Sequence, residues 1–139
     1  LEGLAGSVYT PLAEVAAKIA NEENYHLRHT QAWVRRLSLG SEVSHARMQS
    51  ALAACWPYTG QLFTPPSGAG RLIAAGFIPN PAGVLAAWQA VVLPFLDECE
   101  LETPAEAPLE LSRLEHTPHL RALLAEMQAL ARQEPEAKW

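Results

Sequence analysis

Thirty residues, Thr10 to Leu39, run on with no helix breaker between Pro11 and Gly40. Thr10-Pro11 reads as a side-chain cap followed by a first-turn proline, and the stretch predicts one helix of about 40 Å. Along it Leu12, Ala16, Ile19, Glu23, His26, Thr30, Trp33 and Leu37 recur in alternating steps of four and three, the seam spacing of a helix in a bundle. A carboxylate and an imidazole thus fall in the middle of a stripe whose other members are mostly apolar. Charged groups facing a packed seam are costly unless paired or bound to something. The expectation is a buried Glu23–His26 pair held by hydrogen bonds. Lys18, Glu22, Arg28, Arg35 and Arg36 fall on the outer faces, as a solvated surface.

The remaining chain reads as further helices. Gly40 ends the first and Ser41 caps the second, and so short a connection makes them antiparallel neighbours. The second, about Glu42 to Phe63, has the seam His45, Met48, Leu52, Cys55, Thr59 and Leu62, with Pro57 expected to kink or split it near Ala53. TPPSGAG at Thr64 to Gly70 is a breaker, and Arg71 to Pro79 is apolar, short and ambiguous, read as a helical turn packed on the core. Asn80-Pro81 starts a third helix with Val84, Trp88, Val91 and Phe95 inward and a bend at Pro94. Thr117-Pro118 starts a last one, whose Leu120, Leu123, Leu124, Met127, Leu130 and Ala131 form a buried face before Pro135 stops it. No strand pattern and no fixed-period repeat occurs. The fold class predicted is all-α, a single helical domain over residues 1–139.

At 139 residues the chain is one domain long, and 49% apolar with 18% charged residues is a globular composition. Few β-branched residues accompany the abundant Leu and Ala, which favours helix over sheet. A net charge of -5 without a basic block argues against nucleic acid as a partner. The longest apolar stretch, Val84 to Leu96, is interrupted by Gln89 and Pro94 and is too short to cross a bilayer, so no membrane partner is expected. Cys55 and Cys99 fit no metal or redox spacing and read as two reduced, buried thiols of a cytoplasmic protein. The opening LEGLAGS lacks an initiator Met and reads as the tail of a preceding helix, with N-terminal sequence expected to have been lost.

Glu23 and His26 form a Glu-x-x-His pair, which places both side chains on one helical face. Di-iron carboxylate bundles draw one such pair from each of two helices and a single Glu from each of two others. The motif is weak by itself, since chance supplies about half a match in this composition. A second match, Glu42-x-x-His45, sits in a first turn, where Glu42 serves the helix dipole and only His45 meets the seam. No other helix offers a mid-helix Glu-x-x-His; Glu14 falls off the seam and Glu126 reads as solvated. The set is therefore incomplete: Glu23 and His26 are a vestigial ligand pair, with no metal or other cofactor expected and no catalytic residue assigned. His26 and His29 share a face as a polar contact, and His116 and His119 straddle a helix start. The four tryptophans read as core, except Trp139 at the end of the chain, which needs something to pack on. No nucleophile elbow or phosphate-binding glycine loop is present.

Several blocks resemble the C-terminal part of the structural subunit of bacterial phenylacetyl-CoA epoxidase (phenylacetate-CoA oxygenase). They are LAEVAAKIANEENYHLRHTQAWVRRL at Leu12 to Leu37, RMQSAL at Arg47 to Leu52, WPYTGQLF at Trp56 to Phe63, NPAGVLAAWQAVVLPFL at Asn80 to Leu96 and HTPHLRALLAEMQALARQEPEAKW at His116 to Trp139. The last is the most specific, because no helix rule demands LLAEMQ followed by an Arg, a Pro and a closing Trp. The resemblance implies a ferritin-like helical bundle, here partial because the family's first helices are absent. It implies a non-catalytic scaffold in phenylacetate degradation. Its partner would be a homologue of the catalytic di-iron subunit of the same complex, which epoxidises the aromatic ring of phenylacetyl-CoA. Electrons would come from a reduced nicotinamide cofactor through a reductase subunit. An incomplete bundle is expected to self-associate or to form a hetero-oligomer. The alternative is a di-iron carboxylate enzyme whose remaining ligands lie in absent sequence.

Overall fold

The computed structural model describes residues 1–105, 109 and 116–137, and among these every regular element is helical. A short α1 (Glu2–Ala5) leads into the long α2 (Thr10–Ser38), then α3 (Glu42–Cys55), a 3-10 helix (Trp56–Phe63), α4 (Ala69–Ala74), α5 (Pro81–Glu98), α6 (Pro118–Met127) and α7 (Ala129–Gln133).

The starts and stops follow local chemistry, with two exceptions. Ser41 Oγ accepts from the Ser44 backbone N–H at 3.2 Å while Ser44 Oγ accepts from the Ser41 N–H at 3.0 Å, closing a box at the start of α3. Asn80 Oδ1 likewise accepts from the Ala82 N–H at 3.0 Å at the start of α5. Thr10 is not a cap. It is the first residue of α2 behind Tyr9, and no side chain caps that end. Ser7 Oγ instead accepts from the Tyr9 N–H at 3.1 Å and donates to the Phe77 carbonyl at 2.7 Å, which draws the entry to α2 against the segment after α4. Thr117 occupies the N-cap position of α6 without a side-chain bond.

Pro57 acts as expected, though a little later than Ala53. Regular α3 stops at Cys55, and WPYTGQLF continues as a 3-10 helix, the tighter winding a proline-bearing end accepts. Pro94 stays inside α5, which runs on to Glu98. Glu100 then adopts a left-handed conformation at φ 57°. Its N–H donates to the Asp97 carbonyl at 2.9 Å, and the Leu101 N–H donates to the Leu96 carbonyl at 3.0 Å. This is the paired-bond Schellman stop, which usually has glycine in place of Glu100.

The core is small and sits at one end. Trp56, Leu96, Cys99 and Leu101 are buried together, with Val34, Met48, Leu52, Trp88, Val92 and Phe95 packed around them. The Trp88 ring lies 5.8 Å from Trp56 and 5.4 Å from Phe63, tilted in both cases. Gln49 clamps α3 to the chain after α5, donating to the Glu102 carbonyl at 2.8 Å and accepting from its N–H at 2.9 Å. A second contact region joins the chain start to the α4 turn. Val8 N–H donates to the Gly76 carbonyl at 3.1 Å, and Tyr9 packs on Phe77 at 6.0 Å. Gly76 has φ 76°, and a Cβ there would press on Val8 at 3.1 Å, so glycine is required on both counts.

Several expectations of burial are corrected: Trp33, Leu62, Val84 and Val91, expected to pack inward, are exposed. Cys99 is enclosed, but Cys55 is exposed, because α3 gives way to 3-10 winding at that residue and the side chain turns off the core side. The expected buried face of the last helix is open: Leu123, Leu124, Met127 and Leu130 are all exposed, Met127 by 70%. The helix is also broken at Gln128 into α6 and α7, whose substantial contacts among the described elements are with each other. Trp139 lies outside the described residues.

Candidate functional site

The residues singled out for chemistry lie halfway along α2, a helix of 29 residues and about 43 Å. Its neighbour α3 has 14 residues, about 21 Å of helix. At the other end α1 spans four residues. Neither covers the centre, and every residue from 21 to 30 is exposed.

Glu23 and His26 do sit on one face, as their spacing requires. Glu23 Oε1 lies 3.7 Å from His26 Nδ1, beyond hydrogen-bond distance, and the side chains are 55% and 63% exposed. The expected buried, hydrogen-bonded pair is therefore corrected to an open, loose one. The cause is a rotation of the packed face. The residues of α2 that are not exposed are Leu12, Ala13, Ala16, Ala20, Gln31, Val34 and Ser38. At 100° per residue the middle of this face is displaced by about 75° from the seam through Glu23 and His26, with Leu12 and Ala16 shared between the two. Small side chains decide the matter: Ala16 and Ser38 are the two buried residues of α2, at its two ends, where α1 and α3 approach.

The neighbouring side chains form a ladder that seam spacing does not reveal. Tyr25 stacks on His29 with centroids 6.2 Å apart at 18°, His29 meets Trp33 edge-on at 6.4 Å, and the Arg36 guanidinium lies 5.4 Å above the Trp33 ring. The signal is present in the sequence as aromatic and basic residues four and three apart, but a search for ligand pairs joins His29 to His26 instead. Arg35 is exposed, as expected, and also bridges two helices. Its Nη2 donates to Glu98 Oε2 at 3.0 Å and its guanidinium covers Phe95 at 5.3 Å, tying α2 to α5.

The other candidates stay apart from the pair. His45 Nδ1 donates to the Ser38 carbonyl at 2.9 Å, which makes it a brace across the α2–α3 turn. Glu42 lies in the first turn of α3, on the dipole. Glu14 and Glu126 are exposed. His116 lines an open cleft of about 550 Å³ against α6 and α7 with Arg121, Leu124 and Arg132. Among the described residues no group of three or more His, Cys, Asp and Glu side chains is placed to hold a metal ion. A di-iron centre asks for about four carboxylates and two imidazoles. Two donors do not fit that group. No described helix is long and apolar enough to cross a membrane.

Comparison with known proteins agrees with this architecture. The C subunit of 1,2-phenylacetyl-CoA epoxidase from Escherichia coli (strain K12) is 36% identical over 130 residues, covering 92% of this chain and 52% of that protein. The chain thus spans about half the length of the curated relative it matches. The family model described as phenylacetic acid catabolic protein matches residues 1–139. That family is ferritin-like and helical, and the all-α expectation holds. This chain, matched from its first residue to its last, belongs to the phenylacetic acid catabolic protein family.

Proposed function

We propose that this chain is part of a non-catalytic subunit of a multicomponent di-iron monooxygenase that epoxidises the aromatic ring of phenylacetyl-CoA. It would serve as a helical scaffold in the cytoplasm, paired with the catalytic di-iron polypeptide. In this reading residues 1–139 are one incomplete ferritin-like bundle, and the partner covers faces this chain leaves open. Glu23 and His26 are then the vestigial half of a ligand set. The observation that carries the reading is a donor set of two among the described residues, on an open helix face, in a chain of which 92% aligns with an epoxidase subunit. The exposed apolar side chains of α6 and α7 support the pairing, since a contiguous apolar face is a usual mark of an interface.

Co-expression with a catalytic-subunit homologue, co-purification and iron counting in each polypeptide test this. The expected result is a stoichiometric complex whose iron stays with the partner and is unchanged by Glu23→Ala. Iron bound stoichiometrically by this polypeptide, and lost on Glu23→Ala, would establish the enzyme reading instead.

A further inference from the structure

We draw no further inference here: the strongest candidate, the open cleft against α6 and α7 with His116, Arg121 and Arg132 along it, is bordered by basic side chains that are all exposed, and nothing in the structure shows what covers it.

Discussion

Glu23 shows how much a single residue's meaning depends on what stands beside it. Buried at a seam, its loss would cost about 3–5 kcal/mol through an uncompensated charge. As observed, both members of the pair are more than half exposed, and solvent screens them. Glu23→Ala should therefore change unfolding free energy by less than about 1 kcal/mol. A larger loss in chemical denaturation would mean that the pair is covered in solution. Cys99 is the opposite case. Enclosure against Trp56, Leu96 and Leu101 pushes its thiol above the ordinary value, with the Glu98 carboxylate adding to the rise and the Arg35 guanidinium offsetting part of it. A raised pKa in the folded state means that unfolding favours loss of the proton. The thiol's contribution is thus fully present below the ordinary thiol pKa, about 8.5, and is lost as pH rises through the higher folded value. Stability of the wild type should fall more steeply above that pH than stability of Cys99→Ala, measured by urea unfolding at a series of pH values. Parallel curves would count against the enclosure.

The elements are largely legible in the sequence because their ends are chemical. Gly40-Ser41, Pro57, Asn80-Pro81 and Pro118 lie at or near real boundaries, since a proline or a capping side chain acts on the backbone within one turn, whatever the fold does. The close of α5 is not legible. No glycine marks it, yet Glu100 takes a left-handed backbone because Leu96 and Leu101 must both reach the core around that corner. An L side chain in that region is strained by about 1 kcal/mol. Glu100→Gly should accordingly stabilise the protein by about 0.5–1 kcal/mol in thermal or denaturant unfolding. A destabilised variant would show that the side chain of Glu100 has a compensating role.

At the scale of the whole molecule, stability is uneven. The core lies where α2, α3, the 3-10 helix and α5 meet, whereas α6 and α7 leave Leu123, Leu124, Met127 and Leu130 exposed. Amides of α6 and α7 should exchange with solvent deuterium well before those of α3 and α5, and a partner that covers the apolar face should slow them. Equal protection in the isolated chain would mean that α6 and α7 already have a packing surface. What the amino-acid order determined alone was everything a helix settles within its own turns: the all-α class, the long α2, the breaks at proline, and a carboxylate and an imidazole three apart. Which side of α2 faces inward was decided elsewhere. That depends on how far α1 and α3 reach and on small residues such as Ala16 and Ser38 admitting them, and a neighbour's length is not encoded in the helix it covers.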